Sequence, residues 1–123
     1  MLTILELNHV ALHVQDVAVS CRFYGELLGF RSLPRPAFDF PGAWFALGPH
    51  QELHLIGDRG QAVHSHHRGN HFALKVHSIA QTEAHLRAVG ISFMGPKKRP
   101  DGMWQIFLND PDGHVLEFTE LPN

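Results

Sequence analysis

The seven residues Asn8-His9-Val10-Ala11-Leu12-His13-Val14 return as Asn70-His71-Phe72-Ala73-Leu74-Lys75-Val76, so the chain opens the same way twice. Self-similarity at a long fixed spacing means that one supersecondary unit has been used twice, and the second copy must fold as the first does. Each copy runs on into an amphipathic stretch that ends at glycine. Asp16 opens the first stretch and Gly29 follows it; Ser78 opens the second and Gly90 follows it. Val17, Cys21, Tyr24, Leu27 and Leu28 recur at spacings of three and four, as one face of a helix requires. Ile79, Leu86 and Val89 repeat this in the second copy, where Ser78-x-x-Gln81 supplies a capping box for free N–H groups.

Short runs with strand character follow each helix, at 31–33, 43–48 and 51–56 and again at 91–94, 103–109 and 114–120. Gly48-Pro49 and Asp110-Pro111-Asp112-Gly113 put turn formers between the last two strands of each half. The predicted architecture is α+β, with two βαβββ modules forming a curved mixed sheet around a metal site. One domain spans 1–123, with module one over about 4–56, a polar linker over 57–69 and module two over about 70–120. At 123 residues the chain buries roughly two thirds of the surface it exposes when unfolded, so it needs no metal merely to fold.

Eleven histidines are the compositional oddity, and strand parity sorts them. Successive side chains on a strand point to opposite faces. Val10, Leu12 and Val14 share one face, and His9, Ala11 and His13 the other; Phe72, Leu74 and Val76 likewise oppose His71, Ala73 and Lys75. In the last strand of each half Leu53 and Leu55 oppose Glu52 and His54, while Leu116 and Phe118 oppose Glu117 and Thr119. His54 and Glu117 correspond across the repeat to within one residue. The four residues His9, His54, His71 and Glu117 thus fill two pairs of equivalent positions and form a candidate set of metal ligands on a shared concave surface. A buried glutamate without a cation or donor costs several kcal/mol, which a metal would remove.

The motifs resemble the vicinal oxygen chelate superfamily, which includes glyoxalase I, fosfomycin-inactivating thiol transferases, methylmalonyl-CoA epimerase, extradiol dioxygenases and bleomycin-binding proteins. Asn8–Val14 followed by Phe23-Tyr24-x-x-Leu27-Leu28-Gly29-Phe30 resembles the opening strand and helix of that group, and Asp110–Glu117 its closing hairpin. The resemblance covers essentially the whole chain. It implies that His9, His71 and Glu117 are metal ligands, with His54 standing where glyoxalase I has a glutamate. Of the glutamate pair that moves the proton in glyoxalase I, Glu117 remains, and Glu52 on the same face is the alternative second carboxylate.

Three imidazoles and one carboxylate suit one divalent ion of Zn, Ni, Co, Fe or Mn, with zinc favoured by ligand type. The shared chemistry that the resemblance implies is capture of two neighbouring substrate oxygens, and Glu117 is the expected proton carrier. The leading expectation is therefore a metal-dependent lyase or isomerase of the glyoxalase type acting on a small oxygenated or thiol-conjugated molecule. The alternatives are thiol transfer to an electrophile as in fosfomycin inactivation, extradiol-type ring cleavage, and non-enzymatic drug binding. Trp44, Lys97, Arg99 and Gln105 are the candidate substrate contacts. His64, His66 and His67 are read as a solvated loop.

A formal charge of −2, with ten Lys and Arg dispersed along the chain, offers no stripe for nucleic acid and no polybasic membrane anchor. No apolar run reaches the roughly 18 residues of a membrane span, and the first residues lack a leader's pattern, so a cytoplasmic location is expected. Cys21 is the only cysteine and reads as a packed core thiol. The expected assembly is a homodimer, as the resemblance implies, with the cavity completed within one chain or by exchange of modules between two.

Overall fold

The computed structural model describes residues 1–121, which divide into two compact units, Met1–Gly60 and a second that begins at Gln61. The first unit runs β1 (His9–His13), α1 (Val17–Cys21, continuing in wider π-helical turns over Arg22–Leu27), β2 (Ser32–Leu33), β3 (Gly42–Leu47) and β4 (Gln51–Ile56). The second runs β5 (Phe72–Lys75), α2 (Ile79–Ala88), β6 (Met94–Lys98), β7 (Trp104–Asn109) and β8 (Val115–Glu120). The βαβββ order therefore occurs twice, in an α+β protein whose strands form two four-stranded mixed sheets, ordered β1-β4-β3-β2 and β5-β8-β7-β6.

Register makes the repeat quantitative. The first strand of each unit pairs in parallel with the last, Ala11 opposite His54 and Ala73 opposite Glu117, and all other pairings are antiparallel. The next strand over sets Trp44 beside His54 and Phe107 beside Glu117. The alternation expected from the sequence holds, since Leu12, Val14, Leu53 and Leu55 are buried while His9, Ala11 and His13 are exposed. Helix α1 packs on β3 and β4 and α2 on β7 and β8, covering the apolar face of each sheet.

Both helices begin at the expected caps. The Asp16 carboxylate accepts from the Ala18 and Val19 N–H groups, and the Ser78 hydroxyl from Gln81 N–H. The expected stripe on α1 is corrected by the π-helical turns, in which Leu28 N–H bonds the Phe23 carbonyl at 2.9 Å. Of the expected stripe Tyr24 is buried and Val17, Cys21, Leu27 and Leu28 are half-buried, while Ser20 and Phe23, outside the stripe, are buried as well. Tyr24 sits among Phe23, Phe30 and Phe45, the aromatic centre of this unit's core.

The strand expected at 91–94 instead spans Met94–Lys98 and takes in Lys97 and Lys98. Pro96 hides it from a propensity reading. It is tolerated because β6 is an edge strand with an irregular register between Met94 and Lys97. The closing turn is tied by Asp110, whose Oδ1 accepts from Asp112 and His114 N–H, with Gly113 at φ +91°.

Candidate functional site

The face of each sheet opposite its helix carries the candidate ligands, and each unit contributes a pair. In the second unit Glu117 lies at 5% exposure in the middle of β8, where its strand neighbours place it beside Phe107. Gln105 Nε2 donates to Glu117 Oε2 at 3.1 Å, and His71 Nε2 stands 3.1 Å from Oε1. His71 Nδ1 lies 3.1 Å from the Gly69 carbonyl, which can only accept. That bond fixes the proton on Nδ1 and leaves a lone pair on Nε2 if the ring is neutral. A lone pair facing a carboxylate oxygen at 3.1 Å is repulsive unless a proton or a cation stands between them. A carbonyl behind the imidazole and an amide behind the carboxylate are what metal ligands commonly have at their backs, so this pair fits a divalent cation. The Phe107 ring meets His71 edge-on, with centroids 5.6 Å apart.

In the first unit His9 and His54 stack with centroids 4.2 Å apart and 17° between their planes. Trp44 stacks on the other side of His54 at 4.0 Å and 5°, so the imidazole is held between two rings. His9 Nδ1 is 2.7 Å from Asn8 Oδ1, so Nε2 is the ring nitrogen that could hold a metal. His54 Nε2 is 2.9 Å from Glu52 Oε1. With Nε2–H donated to that carboxylate, Nδ1 is the nitrogen His54 has left to offer. Among the described residues no group of three or more His, Cys, Asp or Glu side chains is gathered as a metal-binding set; the chain presents pairs.

The candidate substrate contacts fare differently. Gln105 is buried against Glu117, and Trp44 lies against His54. Lys97 pairs with Gln105 across β6 and β7 and so shares the Glu117 face, its Nζ 6.0 Å from the Phe107 ring centroid. Lys98 pairs with Trp104 on the opposite face. Arg99 is committed elsewhere. Its Nε donates to Asp101 Oδ1 at 2.8 Å and its Nη2 to Asp101 Oδ2, which holds the Asp101 carboxyl down to about 2. Within its own tight turn the guanidinium thus already has a carboxylate partner.

The histidine loop is not simply solvated. The Ser65 hydroxyl accepts from Val115 N–H at 2.8 Å, and the half-buried His67 ring meets Phe107 at 5.7 Å. Partial desolvation, followed by the neighbouring His66, Arg68, Lys97 and His71, keeps the His67 imidazole below its usual range. Beside it lies a cavity of about 530 Å³ lined by His66, His67, Phe93, Met94 and Phe107 among others. No periodic signal could have found His67, because a loop has no face. Glu52 was visible by parity, but its bond to His54 was not.

Comparison with known proteins gives this arrangement a context. Residues 6–118 match the model of the Glyoxalase/Bleomycin resistance protein/Dioxygenase superfamily. A metallothiol transferase, FosB, of Bacillus licheniformis is 27% identical over 93% of this chain and 74% of its own length. The lactoylglutathione lyase of Salmonella typhimurium is 30% identical over 94% of this chain and 93% of its own. Among solved structures, a protein described as a glyoxalase family member from Bacillus anthracis superposes with a TM-score of 0.86 at 26% identity, covering 99% of both chains.

Proposed function

The chain belongs to the Glyoxalase/Bleomycin resistance protein/Dioxygenase superfamily, and from that membership and its two residue pairs we propose that it is a metal-dependent enzyme of the glyoxalase type. The proposed ligands are His9, His54, His71 and Glu117, holding one divalent ion of Zn, Ni, Co, Fe or Mn. The observation that carries the reading is the His71–Glu117 pair, an imidazole nitrogen and a carboxylate oxygen 3.1 Å apart with the outer atom of each already bonded. The metal when bound would act as a Lewis acid toward two neighbouring oxygens of a small substrate.

The remaining work belongs to the chain's own side chains. Glu117 carries the substrate proton, with Gln105 fixing one of its oxygens so that the other is presented. Trp44 walls the first unit's half of the site, and Lys97, on the Glu117 face, attracts an anionic group. Arg99 is left out of this set because Asp101 already occupies it. Thiol transfer to an electrophile is the second reading, favoured by the metallothiol transferase relative and by a Lys97 ammonium on the Glu117 face suited to an anionic acceptor. A small-molecule substrate, a homodimer and a cytoplasmic location complete the proposal. Among the described residues no helix is long and apolar enough to cross a membrane.

The test is metal content by mass spectrometry on protein purified without a histidine tag, for wild type, His9→Ala, His71→Ala and Glu117→Ala. About one metal per chain, lost in each variant, is the expected result. Hemithioacetals and fosfomycin with a thiol then separate the two reactions. Protein that takes up no metal on reconstitution sinks both.

A further inference from the structure

The same dipeptide opens both copies of the repeat, Asn8-His9 and Asn70-His71, and both imidazoles are pinned by the same nitrogen. The means differ. His9 Nδ1 lies 2.7 Å from the side-chain oxygen of its own Asn8, whereas His71 Nδ1 lies 3.1 Å from the Gly69 backbone carbonyl. The Asn70 side chain is engaged elsewhere, its Nδ2 donating to the His64 carbonyl at 3.3 Å. The orientation of His71 therefore depends on a loop, and a loop carbonyl is only as fixed as the bonds that hold the loop.

Most of those bonds are local. Gly69 N–H donates to the His66 carbonyl at 3.0 Å, Arg68 N–H to His66 Nδ1 at 3.1 Å, and His66 N–H to the Asn70 carbonyl at 3.1 Å. They close the turn on itself without setting where it stands against the sheet. Ser65 supplies that link, alongside the ring contact of His67 with Phe107. Its half-buried hydroxyl donates to the Asn70 carbonyl at 2.7 Å and accepts from Val115 N–H at 2.8 Å, which joins the loop to β8 just ahead of Glu117. One oxygen serves in both senses, as a hydroxyl can. The strand that carries Glu117 thus sets, through Ser65 and the turn, the carbonyl that directs His71 Nε2 to Glu117 Oε1, 3.1 Å away.

We propose that Ser65 is a positioning residue for His71: it holds the Gly69 carbonyl in place, keeps the ring proton on Nδ1 and so presents Nε2 toward Glu117. That Nε2 receives a divalent ion rests on the metal reading above; that Ser65 sets the tautomer does not. Groups that orient a ligating imidazole from behind change metal affinity by about 10- to 100-fold when removed.

Ser65→Ala and Ser65→Thr test it, the first without the hydroxyl and the second with it kept. In EDTA at about pH 9, above the usual imidazole range, long-range ¹H–¹⁵N spectra distinguish the two neutral tautomers of each ring. His9→Gln and His71→Gln identify the two signals. The parent protein is expected to show the Nδ1–H form at both positions. Ser65→Ala should turn His71 into a mixture of tautomers and leave His9, pinned by its own asparagine, unchanged, while Ser65→Thr should match the parent. Titrations against a competing chelator should show Zn²⁺ bound about tenfold more weakly by Ser65→Ala than by the parent or Ser65→Thr. Ser65→Cys keeps the side chain's shape with a weakly bonding thiol, so the same changes in lesser degree are expected of it, should the alanine variant not fold.

A His71 tautomer unchanged in Ser65→Ala overturns the proposal, since the His67–Phe107 contact would then suffice to hold the loop. Equal disturbance of His9 and His71, or failure of threonine to restore the spectrum, overturns it too, by making Ser65 a general support of the fold. A parent protein that takes up no Zn²⁺ defeats the metal reading, while the spectra in EDTA still decide on Ser65.

Discussion

Replacing Gln105 by leucine isolates the contact on which the Glu117 geometry depends. Glu117 and Gln105 are 5% and 8% exposed, and the amide donates to Oε2 at 3.1 Å. Removal leaves one oxygen of a nearly buried carboxylate without a donor, and water has little room to replace it. A hydrogen bond to a charged group contributes about 1.5–3 kcal/mol, and leucine returns part of this through apolar burial. The expected net loss is about 2 kcal/mol, or a fall in Tm of roughly 6–10 °C for a domain of this length. Urea unfolding in EDTA keeps metal out of the comparison, and an unchanged m value shows that stability alone has moved. Gln105→Leu combined with Glu117→Leu removes both partners, so the double variant should be less destabilised than the sum by about 1.5 kcal/mol. A single variant within about 0.5 kcal/mol of wild type, or strict additivity, would refute the assignment of Gln105 as the group that holds Glu117.

Gly42→Ala should cost about 2 kcal/mol or more, because its Cβ would meet the Leu55 carbonyl oxygen at 2.4 Å. Gly29→Ala, at φ +79° in open space, should cost only about 1 kcal/mol of backbone strain; equal Tm losses for the two would show that β3 gives way. Asp16→Ala and Ser78→Ala should each lower stability by about 1 kcal/mol in urea titrations, since each cap satisfies helix N–H groups. The Arg99 guanidinium lowers the Asp101 carboxyl from 3.8 to about 2. The folded value is the depressed one, so the stabilisation is complete above pH 3.8 and lost as pH falls towards 2. Asp101→Asn should flatten the stability profile in that window, and an unchanged acid limb would show the pair to be silent.

What could be read in advance follows from which information is periodic. Asn8–Val14 and Asn70–Val76 have strand parity, so the repeat alone puts His9 and His71 on equivalent faces, and register then sets Ala11 against His54 as Ala73 against Glu117. The π-helical turns of α1 break period instead of following it. Tyr24 of the stripe read from spacing is buried, but Ser20 and Phe23 join it where spacing puts Cys21 and Leu27. Pro96 argues against a strand until the strand is known to be an edge, which is a fact of topology.

The same limit separates the candidate ligands from the groups that orient them. Parity places Glu52 and His54 on one face but is silent on whether two side chains two residues apart bond each other or point at a third group. The structure joins them at 2.9 Å and clamps the imidazole between His9 and Trp44, so the nitrogen His54 offers is decided by a carboxylate on its own strand. Glu117, its counterpart, is oriented from a neighbouring strand by Gln105. Equivalent positions in the repeat thus carry unlike donors with unlike supports. The two positions therefore differ in kind, an imidazole bonded to a carboxylate of its own strand in one unit and a carboxylate facing His71 in the other.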